Sequence, residues 1–186
     1  MRVIAGKYKG RTLFSPKDQS VRPTTDRIKE NVFNLLQGRI PGAAFLDLFG
    51  GTGAMSIEAL SRGATRAVVA DASPESVALI KKNFAKVGVG KEAQILEVPY
   101  DIALKRLVGD RFDVVYLDPP YRAAYYEDIL TRIAESDVLA AEGVVVFEHA
   151  TEREFPAHPA YESLDRRKYG SVTLEILRRL AQRSAE

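Results

Sequence analysis

The chain has 186 residues, 46% of them apolar and 28% charged, with a formal net charge of +2. That is enough for one globular core with a short appendage. It excludes a bilayer span, since no run approaches the roughly 20 apolar residues required. Zero cysteines exclude disulfides, cysteine-zinc sites and thiol catalysis. His149 and His158 are the only imidazoles, so no metal is expected. The N-terminal residues lack the apolar core of a signal peptide, and the expected location is cytoplasmic, with no membrane partner.

The first 30 residues carry eight basic side chains against three acidic ones, a net of +5, which leaves about −3 for the remainder. A basic arm on a near-neutral body suggests a polyanion met at one end, although a solvated basic tail has the same composition. Val3-Ile4 and Thr12-Leu13-Phe14 flank a Lys/Gly-rich stretch and predict a short hairpin. Pro16 and Pro23 mark a loop. Thr25 is placed to cap a helix running to Leu36, with Ile28, Val32, Leu35 and Leu36 on its apolar face. This hairpin and helix, residues 1–40, are read as an N-terminal extension to a main domain, 41–186.

From Ala43 the pattern alternates. Apolar runs at 44–48, 66–70, 93–98, 112–117 and 143–147 predict buried strands with helices between them. One helix is well marked, with Ser73 as N-cap, Pro74 in the first turn and Gly88 past the end. Such alternation predicts a parallel sheet covered by helices on both faces. The end differs. Segments 161–166 and 172–177, joined at Lys168-Tyr169-Gly170, predict an antiparallel hairpin, in which Val172, Leu174 and Ile176 alternate with Thr173 and Glu175. Five parallel strands and the hairpin make seven, a variant of the doubly wound α/β fold.

Two loops carry the chemistry. The first strand runs into Asp47 and then Phe49-Gly50-Gly51-Thr52-Gly53. In doubly wound folds this turn binds the nucleotide part of a ligand, and glycines let the backbone approach it. The dinucleotide fingerprint would need glycine at Ser56, so a pyrophosphate is disfavoured. An acid at Asp47 suits the cationic methionine end of S-adenosylmethionine. A plain tight turn would use the same glycines. Asp71 ends the second strand, 20 residues beyond Gly51, close to the spacing of an acid that accepts ribose hydroxyls. It also suits the start of the following helix. Asp101, after the third strand, fits either an acceptor for the adenine amino group or an N-cap.

The second loop is Asp118-Pro119-Pro120-Tyr121, after the run 112–117. The prolines fix the loop and remove two backbone donors. Carbonyls, a carboxylate and an aromatic ring are left, which can accept hydrogen bonds from an amino group and stack a flat base. An exocyclic base amine is a poor nucleophile because its lone pair is delocalised into the ring. Acceptors at Asp118 and at the Pro119 carbonyl would turn that lone pair toward a sulfonium methyl. Rate would then come from alignment and from stabilising positive charge on nitrogen, with no metal.

These segments resemble the bacterial 16S rRNA guanine-N2 methyltransferases. The resemblance runs through Arg2-Val3-Ile4-Ala5-Gly6-Lys7-Tyr8-Lys9-Gly10-Arg11, Arg22-Pro23-Thr24-Thr25-Asp26-Arg27, residues 47–64, 118–121 and Tyr169-Gly170. It implies a class I (Rossmann-like) methyltransferase fold with S-adenosylmethionine as methyl donor. It also implies a guanine of 16S rRNA in the 30S subunit as target. Asp118, Pro119 and Tyr121 would form the base site, and Asp47, Gly51, Gly53, Asp71 and Asp101 the cofactor site. Lys7, Lys9, Arg11 and Arg22 would grip rRNA phosphates, giving salt-sensitive binding. Related enzymes often carry Glu in place of Asp71, and both acids can hold a diol.

The loop at Asp118 is shared with adenine-N6 methyltransferases, so methylation of adenine in DNA or RNA is an alternative. The chain has no separate domain to read duplex DNA. A non-catalytic RNA-binding assembly protein is a third reading, disfavoured by the two intact loops. No exposed zipper pattern is present, and a monomer is expected.

Overall fold

The structure, a computed structural model, describes residues 1–16, 26–120 and 124–181. Arg22, the expected cap Thr25 and Tyr121 therefore lie outside the described residues. The helices are α1 (Asp26–Leu35), α2 (Ala54–Ser61), α3 (Pro74–Val87), α4 (Tyr100–Arg106) and α5 (Ala124–Ser136). The strands are β1 (Ala44–Asp47), β2 (Arg66–Asp71), β3 (Ala93–Glu97), β4 (Phe112–Leu117), β5 (Leu139–Ala150), β6 (Tyr161–Tyr169) and β7 (Val172–Arg179). They form one seven-stranded sheet in the order β3-β2-β1-β4-β5-β7-β6. Pairing is parallel from β3 to β5, and β7 runs antiparallel to both its neighbours. The doubly wound sheet with its terminal hairpin is as the sequence predicts.

Parallel strands buried on both faces explain the unbroken apolar runs of β1, β2 and β4. One core, with Phe45, Val69, Val114 and Val146, packs beneath α1, α2 and α3. The other, with Leu46, Val68, Val115 and Phe147, packs beneath α4 and α5. The marked helix forms as expected. Ser73 accepts a hydrogen bond from the Ser76 N–H at 3.3 Å, and Gly88 ends α3 at φ +70°.

The N-terminal segment is built into the first core. The expected hairpin forms: its arms are joined by the Arg2–Thr12 bridge and by backbone hydrogen bonds from Val3 to the Arg11 carbonyl, Gly10 to the Val3 carbonyl and Leu13 to the Met1 carbonyl, and it also bonds to α2. The backbone N–H groups of Ile4 and Ala5 donate to the Glu58 carboxylate at 2.8 and 3.0 Å. Gly6 lies so close to α2 that a Cβ there would sit 1.7 Å from the Ser61 carbonyl oxygen. Val3, Tyr8 and Leu13 join the same apolar cluster as Ile57 and Leu60. With this roof on one side and the sheet on the other, every residue of α2 is buried.

Four expectations change in detail. On α1 the expected face holds, with Ile28, Val32 and Leu36 buried and Leu35 packed against the same core, but Lys29 and Phe33 are buried too; Lys29 turns inward because Glu58 and Asp26 each lie 3.7 Å from its Nζ. β5 is far longer than 143–147, because it pairs with β4 on one side and β7 on the other. Lys168 and Tyr169 stay in β6, and the turn falls at Gly170-Ser171. Thr173 and Glu175, which alternate with the apolar residues of β7, are buried as well: Thr173 meets the Thr151 hydroxyl, and Glu175 meets Ser163, Arg166 and His149.

Candidate active site at the C-terminal edge of the sheet

The chain leaves β1 toward β2 and β3 on one side, and returns to β4 and β5 on the other. The crevice at such a reversal is where open α/β sheets bind ligands. Asp47 ends β1 and pairs in register with Tyr116 of β4. Asp118 follows two residues later, so the acids of the two loops stand over neighbouring strands. The Tyr116 hydroxyl donates to Glu148 Oε2 at 2.6 Å. Burial first, then the charges of Glu148, Asp118 and Asp47, hold its pKa well above the usual phenol range. Asp118 is half-buried, Pro119 is buried and Pro120 is exposed.

On the β1 side, Asp47 is buried, and the Phe49 N–H reaches it at 3.3 Å. Burial, aided by the nearby Asp71 charge, pushes its pKa up to about 7. A buried carboxylate with so little relief fits a cationic ligand. The loop is held from beneath. The Gly50 N–H donates to the Ala70 carbonyl at 2.9 Å, an approach that a Cβ would block, meeting Val69 at 2.3 Å. Gly51 lies in the left-handed region at φ +53° and is open on its Cβ side, so a ligand can reach the backbone there. Gly53, at φ +75°, precedes α2 and faces Phe84 and Ile80.

Asp71 is tied to the same loop. One carboxylate oxygen accepts the Gly51 N–H and the other the Ser73 N–H, each at 2.8 Å. Each oxygen keeps a second acceptor site for a hydroxyl. Asp101 stands in the first turn of α4, half-buried. Pro99, rather than Asp101, occupies the N-cap position, so the capping alternative does not hold. Phe49 and Tyr100 bring their rings to 5.6 Å across this end of the cleft. The Tyr100 hydroxyl is fixed on Asp128, which also pairs with Arg132 at 2.7 Å.

The N-terminal cations are spread out. Lys7 pairs with Glu92 at 3.3 Å and lies over the Tyr8 ring. Arg11 donates to the Val87 carbonyl and also covers Tyr8. Lys9 is exposed. Sequence reasoning missed Asn83, a buried side chain on α3. Its amide donates to the Thr52 carbonyl at 2.8 Å and the Phe14 carbonyl at 3.1 Å, tying the glycine loop to the N-terminal segment. A polar residue amid the apolar positions of α3 was the only signal. Phe49, an aromatic inside the glycine-rich turn, was a plainer one.

Sheet order, glycine turn and carboxylates define a class I S-adenosylmethionine-dependent methyltransferase. The chain belongs to the family described as Conserved hypothetical protein 95, whose sequence model matches residues 1–178. It is 33% identical over 186 residues to "Ribosomal RNA small subunit methyltransferase D" of Escherichia coli (strain K12), covering 100% of this chain and 91% of that one. It is 39% identical over 160 residues to "Putative rRNA methyltransferase YlbH" of Bacillus subtilis (strain 168), covering 84% and 86%. Among solved structures, "Putative methyltransferase yhhF from Escherichia coli" superposes with a TM-score of 0.87 at 31% identity, covering 98% of this chain and 99% of that one.

Proposed function

We propose that the protein transfers the methyl group of S-adenosylmethionine to the exocyclic N2 of a guanine in 16S rRNA, acting on the 30S subunit. The observation that carries this reading is the full-length likeness to a small-subunit rRNA methyltransferase. The acceptor loop at Asp118 supplies its chemistry. A monomeric state and a cytoplasmic location belong to the same proposal.

In this reading Asp47, Gly51, Gly53, Asp71 and Asp101 hold the methyl donor. Asp47 faces its ammonium end, Asp71 its ribose hydroxyls and Asp101 its adenine amine. When bound, S-adenosylmethionine supplies an electrophilic methyl on a sulfonium. Asp118 and the Pro119 carbonyl accept the N–H bonds of the guanine amine, and Tyr121 stacks on the base. They turn the nitrogen lone pair toward the methyl and stabilise the positive charge that develops on nitrogen. The departing proton passes through the Asp118 carboxylate to water. Lys7, Lys9, Arg11 and Arg22 meet rRNA phosphates; the guanidinium of Arg11 has donors left beyond the one given to Val87.

The test is methylation of 30S subunits lacking the modification, with bare 16S rRNA and duplex DNA in parallel and nucleoside analysis of the products. N2-methylguanosine from 30S subunits supports the whole reading. N6-methyladenine would keep the mechanism and overturn the base.

A further inference from the structure

At the end of the N-terminal hairpin Leu13 turns into the core, while Phe14 turns out of it and is 48% exposed. A single exposed aromatic is ordinary on a protein surface, but this one is held in place. Its backbone N–H donates to Asn83 Oδ1 at 2.7 Å, and its carbonyl accepts from Asn83 Nδ2 at 3.1 Å. The same buried amide donates to the Thr52 carbonyl of the glycine turn at 2.8 Å. Phe14 is therefore carried on the support that carries the cofactor loop. The Lys86 ammonium lies 4.2 Å from the centroid of its ring and donates to the Thr12 hydroxyl at 3.0 Å.

The helix beside it is charged in a way that does not serve the helix. Lys81, Lys82 and Lys86 of α3 are exposed, and no acid stands three or four residues from any of them. Lys82 and Lys86 are four residues apart on one face, where like charges repel. The one acid of α3, Glu75, is in the first turn. Arg11 of the hairpin reaches the last turn of α3, donating to the Val87 carbonyl. Hairpin and helix thus share one cationic surface around a half-open aromatic ring. Single-stranded nucleic acid is held in this way, its bases stacked on aromatic rings and its phosphates met by cations.

We propose that Phe14, Lys82 and Lys86 bind a single-stranded stretch of the rRNA substrate, Phe14 stacking one unpaired base and the two lysines meeting the phosphates that flank it. This rests on the rRNA reading of the active site. It extends the RNA surface from the hairpin onto α3, on the cofactor side of the cleft. Every base has a face that can stack, so the contact adds affinity without reading sequence. The choice of the reacting base stays with the Asp118 loop.

The experiment has two arms. The chain has no tryptophan, so Phe14→Trp places a single fluorescent reporter at the proposed platform. A single-stranded oligoribonucleotide should quench it, whereas an abasic oligomer with the same phosphates should not. In the same titration, Lys82→Ala combined with Lys86→Ala should lower the salt slope by about 1.4, at about 0.7 per phosphate on a single strand. The second arm is methylation of 30S subunits lacking the modification. Phe14→Ala should raise KM about tenfold, as loss of one stacked base does, with kcat and cofactor affinity nearly unchanged; Phe14→Tyr should restore KM. Equal quenching by the abasic oligomer, no quenching, or an unchanged KM in Phe14→Ala would overturn the proposal. A raised KM without quenching by oligoribonucleotide would assign Phe14 to a ribosomal protein instead. If wild type makes no N2-methylguanosine from 30S subunits, the earlier reading of the substrate fails, and the fluorescence titration still decides the stacking.

Discussion

Two buried carboxylates on the same side of the sheet, Glu58 and Asp47, live in opposite circumstances. Glu58 on α2 accepts the N–H groups of Ile4 and Ala5, pairs with Arg62 at 2.8 Å and has the Lys29 ammonium 3.7 Å away. Its acceptor capacity is filled from within the chain. Asp47 lies under the glycine turn, where among the described residues the Phe49 N–H at 3.3 Å and the Ser56 hydroxyl give it modest relief, and its pKa rises to about 7. The first acid holds the N-terminal roof on α2. The second is left short of partners at the edge where a cationic ligand is needed. Burial alone separates structure from function poorly; the supply of partners separates them well.

The largest expected effect sharpens the functional side. Asp118→Ala should lower kcat by about 1000-fold, or ~4 kcal/mol of barrier, with cofactor affinity by calorimetry nearly unchanged. A large loss of cofactor binding would move Asp118 out of the base site. Next is the structural side. Glu58→Ala leaves Lys29 buried without its buried counter-charge and should destabilise the fold by roughly 3–5 kcal/mol in denaturant titrations. Cofactor affinity of the folded fraction should hold. A stable Glu58→Ala protein would dissolve the contrast with Asp47.

Asp47 should respond to pH in two opposed ways. Its folded pKa of about 7 lies above the ordinary 3.8, so the native state holds the extra proton between these values. This group's contribution to stability is therefore greatest below about pH 4 and falls as pH rises to 7, by roughly 4 kcal/mol at most. On the proposed role for Asp47, cofactor binding needs the ionised acid, so affinity should rise about tenfold per unit up to pH 7 and then level off. Asp47→Asn should flatten both profiles; a wild-type affinity independent of pH between 5.5 and 7 would count against the assignment. Smaller still, Asp71→Ala should raise the cofactor dissociation constant by about tenfold, the worth of a charge-assisted hydrogen bond. Smallest, Lys9→Ala should lower the salt slope of rRNA binding by about one.

The strands, the glycine turn and the Asp118 loop were legible because each is local: a run of apolar residues, a turn and two prolines. The burial of Lys29 was not, because the buried one of its two acids, Glu58, arrives 29 residues later on another helix. Thr173 and Glu175 alternate like residues of a half-exposed strand, yet both are buried, Glu175 among Ser163, Arg166 and His149 brought from β6 and β5 once β7 is inserted between them.

That insertion also bears on synthesis. A growing chain that has only reached Tyr169 has no partner for β6, since β6 pairs with β7 alone. Until β7 follows, the edge of β5 is a bare row of valines, Val144-Val145-Val146, with their amides and carbonyls unpaired. An open apolar edge of this kind invites pairing with another chain. A stalled or truncated product ending before Val172 would carry nearly all of the cofactor side and still be the form most prone to aggregate.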